Sequence, residues 1–232
     1  MSIAENLSQI AHNVASAVAR RREPLGTGTS VKIIAVTKNQ TVAAVREAID
    51  AGAAAIGENR VQEALGKSRE LDRQVEWHLI GHLQTNKVRQ AIPHFDLIHS
   101  VDSERLAVEI DRVAGKAGKR QDILIQVNVA GEDTKFGLAP GEVDSLVRTV
   151  TDLAHLRLCG LMTIAPYYDA VEDARPVFRE LYRMFMDLKA AGVAGSDFQW
   201  LSMGMTNDYS VAVEEGANLV RIGTAIFGPR HY

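Results

Sequence analysis

The sequence has one cysteine, no long apolar run and almost no net charge. Cys159 has no second cysteine with which to form an internal disulfide, so we expect the protein to work in a reducing compartment. No segment approaches the roughly 18 consecutive apolar residues of a membrane-spanning helix. The N-terminal segment ends, rather than begins, with arginines, which is not the order of a secretory signal peptide. These absences predict a soluble cytoplasmic protein.

The charge balance also argues against a polyanionic partner. Lys and Arg total 26 and Asp and Glu total 29, which gives a formal net charge of −3. Such a balance gives no reason to expect binding to nucleic acid or to an acidic membrane, so any anion site must be local. The 232 residues are 46% hydrophobic, enough to bury one large core. We therefore expect a single domain over residues 1–232.

Short apolar runs alternate with helical patterns from residue 31 onward. Eight runs are candidate strands: 31–37, 54–59, 76–81, 96–101, 122–129, 156–164, 199–204 and 219–228. Because the runs are continuously apolar and helical patterns separate them, they indicate a parallel sheet covered by helices. Eight βα units in this length favour an α/β TIM (β/α)8 barrel over an open doubly wound sheet, which usually has fewer strands.

A further helix is predicted over residues 3–22, before the first strand. Its apolar residues recur at helical spacing, and Ser2 with Glu5 forms a capping box at its start. Pro24 follows its predicted end. The sequence stops four residues after Gly228, so no helix is expected after the eighth strand. We expect the N-terminal helix to pack in its place.

Polar residues at the C-terminal ends of the strands are the candidate site, because barrels of this kind carry their active sites there. Lys38 follows the first strand. On position alone the simpler interpretation is a lysine that reaches water from a strand end. A partly desolvated lysine amine is also the group that forms Schiff bases with aldehydes.

The segments after strands seven and eight favour a phosphate site. Ser202, Met203 and Gly204 end the seventh strand, and Gly223 with Thr224 forms a second small-residue turn. Loops after these two strands often bind phosphate in TIM barrels, through backbone amides and hydroxyls such as those of Ser202 and Thr224. Arg221 lies inside the apolar eighth run and needs either a carboxylate or a ligand atom as its partner.

Ordered blocks along nearly the whole chain resemble the pyridoxal phosphate homeostasis protein family. The blocks are AVTK (35–38), GENRVQE (57–63), WHLIGHLQTNK (77–87), HSVDS (99–103), QVNVAGEDTKFGL (126–138), GLMTI (160–164), LSMGMTNDY (201–209) and VRIGTAIFG (220–228). The resemblance implies the fold-type III barrel shared with alanine racemase, without that enzyme's C-terminal β-domain. It also implies that the cofactor is pyridoxal 5′-phosphate (PLP), held as an aldimine on Lys38.

The same resemblance assigns roles to further residues. Arg221 would face the pyridine nitrogen, and Asn59 would line the ring pocket. Backbone amides would provide most of the phosphate contacts, at Ser202, Met203, Gly204, Gly223 and Thr224. His78, Asn86 and Lys87 match a family motif near the barrel mouth, and Lys135 matches a family lysine that is a candidate for a secondary aldehyde-reactive site.

Metal binding and cysteine catalysis are not expected. His78 and His82 have H-x3-H spacing, but they straddle a strand end and lack the H-E-x-x-H helix of a zinc site. Cys159 fits a small buried core residue better than a nucleophile. Tyr167, Tyr168, Tyr209 and Tyr232 are expected to pack in the core or at the rim rather than to act on a ligand.

Binding of PLP without efficient turnover is the predicted function. An arginine does not readily donate a proton to the ring nitrogen, so the ring is a weak electron sink, and no acid or base opposite Lys38 is evident. We therefore expect a monomeric, non-enzymatic protein that buffers PLP or delivers it transiently to PLP-dependent apo-enzymes. A PLP-dependent amino-acid racemase or lyase is the alternative. A barrel enzyme acting on phosphorylated sugars would also use the phosphate loops, but it leaves the family blocks unexplained.

Overall fold

The computed structural model describes residues 1–21, 25–132 and 134–229. Within them, eight parallel strands form a closed barrel in sequence order, with the eighth strand paired to the first. The predicted TIM barrel is therefore confirmed. The strands are β1 Lys32–Val36, β2 Ala55–Glu58, β3 Glu76–Leu79, β4 Leu97–Val101, β5 Gln121–Gln126, β6 Leu156–Met162, β7 Trp200–Met205 and β8 Leu219–Ile222.

Helices follow the strands and cover the outside of the barrel. Each strand's outward residues pack against these helices, while the alternate residues face the barrel interior. The helices are α1 Ile3–Ala19, α2 Val42–Asp50, α3 Val61–Glu70, α4 Val88–Ala91, α5 Glu104–Lys116, α6 Val143–Asp152, α7 Arg175–Ala191, α8 Tyr209–Glu214 and α9 Thr224–Phe227.

The N-terminal helix α1 packs where the outer helix after β8 would lie in a complete barrel. It contacts α8 and α9 on one side and α2 on the other, as predicted. Its start is also as predicted, since the Ser2 hydroxyl accepts from the Glu5 amide and the Glu5 carboxylate accepts from the Ser2 amide. The helix ends at Ala19, earlier than residue 22, and the breaker Pro24 lies outside the described residues.

The eighth apolar run differs from its prediction. The strand ends at Ile222, and residues 224–227 form the one-turn helix α9, so the expectation that no helix follows β8 was wrong. The amides of Ile226 and Phe227 both donate to the Gly223 carbonyl, which closes the turn. A short apolar segment has the same pattern in a strand and in a buried helical turn, and the sequence could not separate the two.

The barrel interior contains an apolar cluster made by inward-facing residues of β1, β2, β4, β5, β6 and β8. Its members are Ile34, Ala55, Leu97, Leu124, Cys159, Met162 and Leu219. Cys159 is buried, and burial raises the pKa of its thiol to about 12, so the thiol stays protonated and unreactive, as predicted. In the described part of the chain, no helix is both long and apolar enough to cross a membrane.

Candidate functional site

A cavity of about 810 Å³ lies at the C-terminal ends of the strands. Five of the residues singled out from the sequence for cofactor binding line it: Lys38, Asn59, Arg221, Gly223 and Thr224. The strands bring these residues together although they are far apart in the chain, because the C-terminal ends of parallel strands meet at one end of a barrel. The cavity therefore combines an amine, a guanidinium and the small-residue turn of Gly223 and Thr224.

The backbone is fixed on both sides of Lys38. The Lys67 ammonium donates to the carbonyl of Thr37 at 2.6 Å, and the Glu63 carboxylate accepts from the amide of Asn39 at 2.5 Å. Asn39 has a left-handed backbone with φ of 61°, a conformation that asparagine tolerates better than most residues. These contacts hold the peptide that presents the Lys38 side chain at the cavity.

A buried ion pair holds the Lys67 ammonium that contacts the Thr37 carbonyl. Lys67 is 6% exposed and donates at 2.7 Å to Glu58, which is fully buried, and at 2.7 Å to Glu63. The Thr37 hydroxyl donates to the same oxygen of Glu58 at 2.5 Å. Burial raises the pKa of Glu58, and the hydrogen bonds from Lys67 and Thr37 oppose that shift. The sequence did not single out Lys67, because a lysine four residues after Glu63 on a helix looks like an ordinary surface pair.

Arg221 lies beneath the cavity and is 3% exposed. Its guanidinium donates to the Ser202 hydroxyl at 2.6 Å and to the Thr163 carbonyl at 2.8 Å. Among the described residues no carboxylate lies within ion-pair distance of it, so its direct acceptors are neutral, and the Asp208 carboxylate acts on it only from farther away. Burial lowers the pKa of Arg221 to about 10, which still leaves it cationic at neutral pH. It can only donate hydrogen bonds towards a ligand.

Residues of two loops, after β7 and after β8, line the same cavity as Lys38. The amides of Thr206, Asn207, Gly223 and Thr224 have no hydrogen-bond acceptor within the residues that the structure describes. The Ala225 amide donates to the Thr206 hydroxyl at 3.4 Å, which joins the loop after β7 to the loop after β8. Unpaired amides from neighbouring loops form the kind of site that binds a phosphate.

The end of β7 is placed differently from the prediction. Ser202, Met203 and Gly204 are buried and do not line the cavity, and the residues after them do. Strand alternation turns the Ser202 side chain into the barrel, where it contacts Arg221 and His99. The Ser202 hydroxyl therefore does not face the cavity, and the expectation that it binds a phosphate there was wrong. Any contact of these three residues with a phosphate stays a prediction about their backbones.

The motif expected near the mouth is dispersed. His78 is 2% exposed and lies inside the barrel, so its placement near the mouth was wrong. Asn86 and Lys87 belong to the helical turn Thr85–Lys87 and do not line the cavity. Lys135 does line it, with its ammonium 2.7 Å from the Glu132 carboxylate. A second amine therefore lies at the same cavity as Lys38.

The remaining candidates occupy varied positions. Tyr167 and Tyr168 line the cavity, and the former is 79% exposed at its rim. Tyr209 is buried and its hydroxyl accepts from Asn13, while Tyr232 lies outside the described residues.

The rings of His82 and Phe136 stack with their centroids 3.9 Å apart. Over the described ranges, no three His, Cys, Asp or Glu side chains are grouped as metal ligands.

The two buried histidines, His78 and His99, should make the stability of the protein depend on pH. Burial lowers the pKa of His78 and of His99 below 6.5, so both stay neutral in the folded protein. The unfolded chain binds these protons first, so the stability is complete above pH 6.5 and is lost as the pH falls. We expect the free energy of unfolding to fall below pH 6.5 by up to about 1.4 kcal/mol per pH unit for each histidine.

Urea unfolding of the ligand-free protein between pH 7.5 and 5.5 measures this dependence. His99→Asn should reduce the change of the free energy of unfolding with pH. His12→Asn, at an exposed position on α1, is the control and should leave that change as it is in the wild-type protein. A free energy of unfolding that does not change over this range would contradict the prediction.

Known proteins resemble this chain over nearly its full length. The pattern of the family described as "Alanine racemase, N-terminal domain" matches residues 6–231. A protein named pyridoxal phosphate homeostasis protein from Aquifex aeolicus is 42% identical over 235 residues, which cover 100% of each chain. PipY from Synechococcus elongatus, solved with PLP bound, is 37% identical with a TM-score of 0.83 and coverage of 98% of this chain and 100% of PipY.

A more distant structure has the same fold. Alanine racemase from Clostridium difficile is 17% identical with a TM-score of 0.73, and the match covers 98% of this chain and 57% of the racemase. At this identity the likeness shows the barrel alone.

Proposed function

The chain belongs to the pyridoxal phosphate homeostasis proteins, within the alanine racemase N-terminal domain family, and we propose that it binds PLP and acts in PLP homeostasis. One observation carries this proposal: a single cavity combines the Lys38 amine, the Arg221 guanidinium and four backbone amides that have no acceptor among the described residues. These groups correspond to the aldehyde, the pyridine nitrogen and the phosphate of PLP. The PLP-bound structure of PipY, a relative with the same barrel, supports the same ligand.

Each part of the ligand has a matching group in this chain. The Lys38 amine would condense with the aldehyde and release one water molecule, and the fixed backbone at Thr37 and Asn39 would limit where that amine reaches. The amides of Thr206, Asn207, Gly223 and Thr224 would donate to the phosphate. Asn59 would line the ring pocket.

The position of Arg221 supports a binding role rather than turnover. PLP, when bound, supplies an electron sink that is strong only if its ring nitrogen is protonated. Arg221 stays cationic and can only donate, so it would leave that nitrogen without a proton. We therefore propose that the protein buffers PLP and passes it to apo-enzymes in the cytoplasm, as a monomeric single domain over residues 1–232. Weak PLP-dependent activity is compatible with this function.

Titration of the purified protein with PLP, followed by absorbance, tests the proposal. We expect a yellow absorption band at one ligand per chain. Pyridoxal, which lacks the phosphate, should bind at least about 100-fold more weakly, because it loses two or more charge-assisted hydrogen bonds to the loop amides. A protein that binds both compounds equally well would contradict the assigned phosphate site, and one that binds neither would contradict the function.

A chiral amino-acid assay separates the proposed role from the racemase alternative. Tyr167 and Tyr168 at the cavity are the phenols that such an enzyme would use. We expect no sustained turnover, and we expect the PLP-loaded protein to restore the activity of a purified PLP-dependent apo-enzyme. Sustained racemisation that is lost in Tyr168→Phe would overturn the non-enzymatic role.

A further inference from the structure

A continuous line of hydrogen bonds crosses the interior of the barrel from the cavity to the opposite end. It runs from Arg221 to the Ser202 hydroxyl at 2.6 Å, from Ser202 to His99 Nδ1 at 3.0 Å, and from His99 Nε2 to His78 Nδ1 at 3.0 Å. His78 Nε2 then lies 3.2 Å from the Glu76 carboxylate. Glu76 is the first residue of β3, so the line ends at the barrel floor, meaning the N-terminal ends of the strands.

Counting donors gives the line one direction. The Glu76 carboxylate can only accept, so His78 donates to it from Nε2, and because His78 is neutral its Nδ1 accepts. His99 therefore carries its proton on Nε2 and donates it to His78 Nδ1, which leaves the Nδ1 of a neutral His99 to accept the Ser202 hydroxyl proton. The Ser202 oxygen accepts from Arg221, which can only donate. Both tautomers follow from the carboxylate at one end and the neutrality of the two rings.

The charges of the two ends agree with this direction. The hydrogen bond from His78, together with Lys32 at 2.7 Å, lowers the pKa of Glu76 to about 2, so the floor end is anionic. Burial holds the pKa of both histidines below the usual range, so the middle is neutral. Each link turns its acceptor towards the Arg221 side, and aligned hydrogen bonds of this kind polarise one another. This arrangement helps to compensate a buried guanidinium that has no carboxylate within ion-pair distance among the described residues, with Asp208 acting on it from farther away.

We propose that Glu76, His78, His99 and Ser202 are positioning residues that hold Arg221 in its orientation beneath the cavity. They act through a one-directional hydrogen-bond chain anchored at the barrel floor. The part of this inference that concerns the cofactor rests on the proposed function, because Arg221 is the group assigned to the PLP ring nitrogen. The predicted tautomers do not depend on it.

Two serines of the protein, Ser202 and Ser100, provide a matched pair of substitutions. Ser202→Ala removes the one oxygen that joins Arg221 to His99 and keeps the backbone amide of residue 202. Ser100→Ala removes an equally buried hydroxyl beside His99, one that makes no hydrogen bond within the described residues. Both changes leave the apolar packing nearly unaltered, so both proteins should fold.

The first measurement uses ligand-free protein. Nitrogen-15 NMR of the imidazole rings, assigned by single-histidine substitutions, reports the tautomer and charge of each histidine. At pH 7.5 we expect His78 and His99 to be neutral and protonated on Nε2, in the wild-type protein and in Ser100→Ala. In Ser202→Ala, His99 should no longer be held in the Nε2-protonated tautomer and should show a mixture of tautomers. A histidine that is charged, or protonated on Nδ1, in the wild-type protein would overturn the inference.

The second measurement uses PLP. In Ser202→Ala we expect the Kd for PLP to rise about tenfold or more, because Arg221 loses a charge-assisted hydrogen bond that holds it in place. The absorption maximum of bound PLP should also move, since it reports the group facing the ring nitrogen. Ser100→Ala should match the wild-type protein in both. Identical Kd values and spectra in the two variants would overturn the positioning role.

These measurements separate failure of the inference from failure of the proposed function. If the wild-type protein does not bind PLP, the proposed function is wrong, and the NMR result alone decides whether the line of hydrogen bonds has the inferred direction. If PLP binds and Ser202→Ala behaves like Ser100→Ala, the function stands and the positioning role does not.

Discussion

Lys38→Ala is expected to lose the yellow absorption band that PLP gives with the wild-type protein, and to bind PLP at least about 100-fold more weakly by the usual relation between free energy and affinity. The physical reason is that the linkage between the amine and the aldehyde adds a covalent bond to the contacts of the phosphate loops. Those loops and Arg221 remain in the variant, so weak, colourless binding should persist. Absorbance and equilibrium dialysis measure the two effects.

Lys135→Ala is the matched control, because its amine lines the same cavity at a different place. The Lys135 ammonium is ion-paired with Glu132, and its side chain is 30% exposed at the rim. We expect this variant to keep the absorption band and to bind PLP nearly as tightly as the wild-type protein. If Lys135→Ala loses the band and Lys38→Ala keeps it, the two lysines have been assigned to the wrong roles.

Lys67→Met should destabilise the protein by about 3–5 kcal/mol, the cost of removing one partner from a buried ion pair. Glu58 is fully buried and would keep only the Thr37 hydroxyl as a donor among the described residues. Urea unfolding at pH 7.5 measures the change. Lys116→Met, at an exposed position of the outer helix α5, is the control and should cost no more than about 0.5 kcal/mol.

The double variant Lys67→Met with Glu58→Gln tests the reason for that loss. Removing the charge of residue 58 removes the unpaired buried carboxylate, so the double variant should be more stable than Lys67→Met alone. Additive losses would show that the two side chains do not act as a pair. The bound-PLP spectrum of the double variant should also broaden, since the Thr37 carbonyl beside Lys38 has lost its donor.

The barrel could be predicted from the sequence because its signals are local. Eight apolar runs separated by helical patterns specify β1 to β8, and the capping box of Ser2 and Glu5 marks the start of α1. The end of the eighth run could not be predicted, since TAIF at 224–227 is apolar in both a strand and a helical turn.

The cavity was predictable for a similar reason, and the groups behind it were not. Lys38, Gly223 and Thr224 follow strands, so their position at the barrel mouth follows from topology. The roles of Ser202, His78 and His99 depend on which neighbour each inward-facing side chain meets across the barrel. A polar residue within an apolar strand, such as His99 in LIHSV, is the sequence signal that could have pointed to the buried hydrogen-bond chain.

The site of covalent attachment tests the central claim most directly. Wild-type protein saturated with PLP can be reduced with borohydride, digested and mapped by mass spectrometry, which locates the modified lysine. We predict one modification per chain, on the peptide containing Lys38, and none when PLP is omitted. Modification at Lys135 or elsewhere in place of Lys38, or no modification of saturated protein, would contradict Lys38 as the residue that holds PLP.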